Sequence, residues 1–180
     1  DVINAQEGFF DVESVWPKLE QALRQAISNL VAMRETEGSN IYGDFIKRAD
    51  LIAEKLAVIE ERSPQVVEEY QIRLSDRINE LLAKHNQVIE PERLLQEVAI
   101  FADRTSITEE IVRLKSHIKQ FRLIIDADQP VGRKLDFLIQ EFNREANTIA
   151  SKANDYTLAQ VVVEIKAEIE KIREQIQNIE

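Results

Sequence analysis

The C-terminal stretch YTLAQVVVEIKAEIEKIREQIQNIE, residues 156–180, places Leu158, Val162, Ile165, Ile169, Ile172, Ile176 and Ile179 at alternating steps of four and three. This is the seam of an amphipathic helix with a heptad repeat; a strand, whose side chains alternate at every residue, cannot hold these positions on one face. At about 1.5 Å per residue, Leu158 to Ile179 spans roughly 33 Å. So narrow a seam requires a partner helix, from the same chain or from another subunit.

The same periodicity recurs toward the N-terminus. In TEEIVRLKSHIKQF and the residues flanking it, Ile107, Ile111, Leu114, Ile118, Phe121 and Ile125 form an apolar stripe, with Ser106 as N-cap and Glu109 three residues on in a capping box. Pro91 opens a short helix, PERLLQEVAIFAD. Farther upstream, Trp16, Leu19, Leu23, Ala26, Leu30 and Met33 make one seam, and Phe45, Ala49, Ile52, Leu56 and Ile59 make another. These are read as one long helix to about Arg62, bent near Gly38. Ser63 and Pro64 form a helix-start signal, so a second long helix is expected over Val67, Tyr70, Leu74, Ile78 and Leu81, ending near His85 and Asn86. The expected fold is all-α: a long antiparallel helical hairpin, a coiled-coil-like arm over residues 1–89, followed by a C-terminal helical bundle over residues 90–180.

Composition narrows the function. The 180 residues are 44% hydrophobic and 31% charged, with 4 Gly and 4 Pro, which suits a folded helical protein. Zero cysteines exclude disulfides, thiol nucleophiles and Cys-based metal sites, and fit a reducing, cytoplasmic location. No apolar run approaches the ~20 residues of a membrane helix, so no membrane partner is expected. The N-terminal DVINAQEGFF has neither a basic signal-peptide region nor an initiator methionine, and reads as the start of a fragment or trimmed product. Walker loops, HExxH pairs and Gly-x-Ser-x-Gly elbows are missing. The net charge of −10 argues against a generic nucleic-acid binder, yet from Arg104 to Lys152 nine basic residues face seven acidic ones, giving +2 locally and −12 elsewhere.

That basic segment contains the helix PVGRKLDFLIQEFNREANTIASKAND, residues 130–155. Its seam runs Val131, Leu135, Leu138, Phe142 and then meets Glu145 before Ile149 resumes it. A carboxylate in a seam is costly unless it is paired, ligated or wet. Glu141 lies one turn earlier on the same face, so a positive group belongs beside them. Two readings fit the pattern: Asp136, Glu141 and Glu145 as hard oxygen ligands for Mg²⁺ or Mn²⁺, or ordinary ion pairs with Arg144, Arg133 or Lys134. His117 fits a general acid or base, a metal ligand, or a boundary histidine paired with a carboxylate. His85 reads as a solvent-exposed residue near a helix end.

The runs TEEIVRLKSHIKQF, PVGRKLDFLIQEFNREANTIASKAND and VVEIKAEIEKIREQIQNIE, with AMRETEG and ERLLQEVAIFAD upstream, resemble the C-terminal region of the YicC/YloC family of bacterial endoribonucleases. The resemblance implies a C-terminal piece of a larger protein, a homo-oligomer (a hexamer) enclosing RNA, and phosphodiester hydrolysis assisted by a divalent metal. From their own chemistry, not from the resemblance, Glu141 and Glu145, joined by Asp136, are expected to hold Mg²⁺ or Mn²⁺, and Arg113, Arg133, Lys134, Arg144 and Lys152 to neutralise phosphates. Gln140, Asn143 and Asn147 are expected to orient the chain or read exposed RNA edges. If the 2′-OH is the nucleophile, His117 is its base. A non-catalytic RNA-binding adaptor and a purely structural helical oligomer are the competing expectations.

Overall fold

A computed structural model describes residues 12–83, 90–127, 129–177 and 179, and every element in them is an α-helix: α1 (Val12–Ala83), α2 (Pro91–Arg104), α3 (Thr108–Ile125), α4 (Gly132–Lys152) and α5 (Tyr156–Ile176). By packing, the chain divides into two compact units, residues 1–43 and 44–180. In the first unit, the seam residues Trp16, Leu19, Leu23, Leu30 and Met33 of α1 are all exposed.

In the second unit, residues of α1, α3, α4 and α5 close around one core. Phe45, Ala49, Ile52, Leu56, Ile59 and Val66 are the buried contribution of α1, and the heptad of α5 from Leu158 to Ile176 is buried throughout. The heptad seam of α5 therefore finds its partners within its own chain. Phe121 of α3 is the central ring, 5.4 Å edge-on from Phe45 and 6.0 Å from Phe142 of α4. Each such fully buried side chain contributes about 1.5–3 kcal/mol relative to exposure.

Ion pairs at the rim record the directions of the helices. Along α1, Arg48 bonds Glu168 at 2.8 Å, Lys55 bonds Glu164, and Arg62 bonds Asp155 at 2.8 Å, so α1 and α5 run antiparallel. Asp50 with Arg122 at 2.5 Å and Glu60 with Lys115 at 2.6 Å give the same relation to α3. Asp155 also caps α5, its Oδ1 accepting from the Leu158 N–H at 2.9 Å. α2 starts at Pro91 as expected and docks through Phe101, stacked on Tyr70 of α1 at 3.7 Å.

The all-α class and the bundle agree with the sequence reading, but the hairpin does not. The helix-start signal at Ser63–Pro64 lies inside α1, which continues to Ala83. The physical reason is phase. From Phe45 the buried positions step through 49, 52, 56 and 59 to 66, with half-buried Ser63 filling the place between Ile59 and Val66. A chain reversal would interrupt that register, whereas a continuous helix preserves it at the cost of the backbone hydrogen bond that Pro64 cannot donate. Arg62 bridges the site, bonding Glu69 seven residues on at 2.5 and 2.9 Å. The expected end near His85 and Asn86 lies outside the described residues. The expected capping box is also replaced: Ile107, buried in the core, occupies the N-cap of α3, and no side chain caps it.

Candidate metal centre

α3 and α4 pack antiparallel, which brings His117 against Glu141 and Glu145. One ligand atom from each lies within 4.8 Å of the others. The arrangement follows from spacing: Glu141 and Glu145 are one turn apart on the flank of α4 that meets α3, and Glu145 occupies the seam, 3% exposed. His117 is half-buried beside them, its ring 6.2 Å from that of Phe142, and its Nδ1 is buried without a hydrogen-bond partner among the described residues.

The neighbouring cations only partly satisfy these carboxylates. Arg113, one turn before His117 on α3, bonds Glu109 at 2.6 Å and leaves its other nitrogen 3.8 Å from Glu145. Arg144 stands 3.8 Å from Glu141. Both separations exceed hydrogen-bond length, so the two carboxylates keep acceptor capacity facing the imidazole.

Asp136, expected with these carboxylates, stands apart. It is exposed and accepts a hydrogen bond from Gln140 at 3.0 Å. Five residues of α-helix rotate about 140°, which turns Asp136 away from Glu141. Its place in the cluster is taken by His117. Lys152, expected on phosphate, is held by Glu110 at 2.8 Å and by the Ser106 carbonyl at 3.1 Å. Burial raises the Glu110 carboxyl, but the hydrogen bond from Lys152 and the Lys152 and Arg113 charges outweigh it and hold Glu110 below the usual carboxylate range. This pair pins the start of α3 to the end of α4.

The remaining polar residues fall along two shallow grooves. One, of about 420 Å³, is lined by His117, Arg133, Lys134, Phe137 and Glu141, with Gln120, Ile124 and Leu138. The other, of about 450 Å³, brings Gln140, Asn143, Arg144, Asn147 and Thr148 together with Arg173 of α5. Among the described residues, Arg133 and Lys134 form no ion pair. Arg173, Phe137 and the Arg113–Glu145 approach were not foreseen as parts of a site. A signal for the last was present, because Glu110, Arg113 and His117 follow one flank of α3 at steps of three and four.

Over residues 59–180 the chain matches the family described as endoribonuclease YicC-like, C-terminal. The chain belongs to the YicC-like endoribonuclease family. It is 49% identical over 180 residues to the probable endoribonuclease YicC of Clostridioides difficile (strain 630), covering 100% of this chain and 61% of that relative. It is 36% identical over 179 residues to the probable endoribonuclease YicC of Haemophilus influenzae (strain ATCC 51907 / DSM 11121 / KW20 / Rd), covering 99% of this chain and 60% of that protein. The chain thus spans about three fifths of the length of these YicC relatives. The family match takes in the whole of α3, α4 and α5, and with them both grooves and the His117 cluster.

Proposed function

We propose that this chain carries the RNA-cleaving centre of an endoribonuclease, with His117, Glu141 and Glu145 holding a divalent cation. The observation that carries the reading is the convergence of these three side chains around the buried Glu145 carboxylate, with the His117 Nδ1 left without a partner among the described residues. The donor set fits such an ion: two carboxylates supply hard oxygens, and the unpartnered Nδ1 leaves the imidazole uncommitted. Of the two expected ions, Mn²⁺ accepts an imidazole more readily than Mg²⁺, which prefers an all-oxygen shell. When bound, the ion would supply Lewis-acid charge for phosphoryl oxygens and an acidified water.

The chain's own residues perform the remaining tasks. Arg133, Lys134 and Arg144 are exposed cations suited to the phosphates on either side of the cut. Gln140, Asn143 and Asn147 present amide groups to unpaired bases and 2′-hydroxyls. Arg113, 3.8 Å from Glu145, adds positive charge beside the cluster. Action on single-stranded or structured RNA belongs to the same proposal, supported by the family's name and by the exposed cations of α4; enclosure in a hexameric cavity and a cytoplasmic site are proposed with it.

Incubating the protein with labelled RNA in Mn²⁺, in Mg²⁺ or in chelator tests the reading. Cleavage is expected with the ion and not in chelator, and Glu141→Ala and Glu145→Ala should abolish it while RNA binding persists. Undiminished cleavage by either variant would remove the proposed centre, and binding without cleavage in every metal would favour the adaptor reading. Cleavage that survives chelator would instead make His117 the base toward the 2′-OH.

A further inference from the structure

We infer that Phe137 is a stacking platform for one unpaired RNA base, placed beside the proposed cleavage centre; the inference rests on the RNA-cleaving reading and adds a subsite to it. Phe137 is 65% exposed on α4, where its helical neighbours toward solvent are Arg133, Lys134, Gln140, Glu141 and Arg144. A single exposed apolar residue is unremarked on most surfaces. This one lines the same groove as His117 and Glu141, one turn from Glu141 and therefore about 6 Å from it along the helix.

The occupant follows from the groove's chemistry. Phe137 offers a flat apolar face, and Ile124 and Leu138 make the wall beside it. Arg133 and Lys134, one turn before Phe137, have no acidic partner among the described residues. A π-face next to uncompensated cations matches a nucleotide, whose base stacks while its phosphate meets the charges. A base in a duplex has no free face, so the subsite selects single-stranded segments. A nucleotide meets the ring and both cations with a single ligand, and the oligomeric-state measurement below reads the case in which a second copy of this acidic chain covers them instead.

The experiment uses single-stranded RNA carrying one 2-aminopurine, bound to the protein in chelator so that stacking is read without cleavage. Wild-type protein and Phe137→Trp should quench the fluorophore. Phe137→Ala and Phe137→Leu should not, and Phe137→Ala should weaken binding about 5- to 150-fold, the range of one base–aromatic stack. An abasic nucleotide at the same position should weaken wild-type binding by a similar factor and leave Phe137→Ala unaffected. Equal quenching and affinity in Phe137→Leu would overturn the inference, as would a change of oligomeric state in Phe137→Ala, which would make the patch a contact between copies. Stacking without cleavage in any metal would support the subsite and defeat the catalytic reading. Cleavage by a protein that shows no stacking would do the reverse.

Discussion

Arg113 and Glu145 face each other across α3 and α4 at 3.8 Å, near enough to attract and too far to hydrogen-bond. Glu145 is nonetheless buried, and Glu141, a like charge, stands one turn before it on α4. If holding Arg113 were the task of Glu145, neutralising it would destabilise the fold. If its task is to hold a cation, neutralisation should relieve strain. Metal-free Glu145→Gln protein is therefore expected to melt at or above the wild-type temperature, by up to about 4 °C for ~1 kcal/mol. Added Mn²⁺ should raise the melting temperature of the wild type and leave the variant unmoved. A metal-free variant that melts several degrees lower would return Glu145 to a structural role.

The contact between Arg62 and Asp155 makes an acid-sensitive joint between α1 and the start of α5. The Arg62 guanidinium holds the Asp155 carboxyl below its ordinary range; burial opposes this, and the Leu158 N–H adds to the lowering. A carboxyl depressed in the folded state stabilises fully above the unfolded value, and loses that contribution as the pH falls through the folded value. Asp155→Ala should cost about 1–2 kcal/mol at pH 7, from the lost cap and ion pair. In thermal melts between pH 7 and pH 3, the gap between wild type and variant should close below about pH 4. A gap independent of pH would mean that packing, not charge, is what Asp155 supplies.

Most of the fold was legible because heptad spacing survives translation into structure: the seams of α3, α4 and α5 are buried as their periods require. What failed at Pro64 was a local signal set against a longer-range one. Ser–Pro marks a helix start by its own chemistry, but the register from Phe45 to Val66 spans both sides of it and prevails. The candidate site shows the same contrast. Glu145 was legible because it breaks a seam, whereas Asp136 was grouped with it by residue type although the helical rotation separates them. His117 could be singled out by its chemistry, but its meeting with Glu141 and Glu145 depends on how α3 and α4 pair, which no single helix records.

Pro64 supplies a direct measure of helix continuity. Within a helix, proline forfeits one backbone hydrogen bond and crowds the preceding turn, at about 3 kcal/mol relative to alanine. Pro64→Ala should therefore stabilise the protein, by as much as about 3 kcal/mol in chemical denaturation, with the slope unchanged. At the first position of a separate helix, proline is already well accommodated, and the substitution would be neutral or slightly unfavourable. A neutral result would restore the chain reversal at Ser63–Pro64.

The cations of α3 and α4 differ in how free they are, and salt dependence of RNA binding separates them. Lys152 is tied to Glu110 and the Ser106 carbonyl, and Arg113 to Glu109, so removing either charge disturbs protein contacts first. Arg133 and Lys134 form no ion pair among the described residues and can release counterions from a bound strand. On single-stranded RNA each phosphate neutralised contributes about 0.7 to the slope of log K against log salt. The double variant Arg133→Ala/Lys134→Ala should lower that slope by about 1.4, while Lys152→Ala lowers it little and reduces thermal stability instead. An unchanged slope in the double variant would move the strand off this face of α4, and a large loss of slope in Lys152→Ala would show that RNA displaces Glu110 from Lys152.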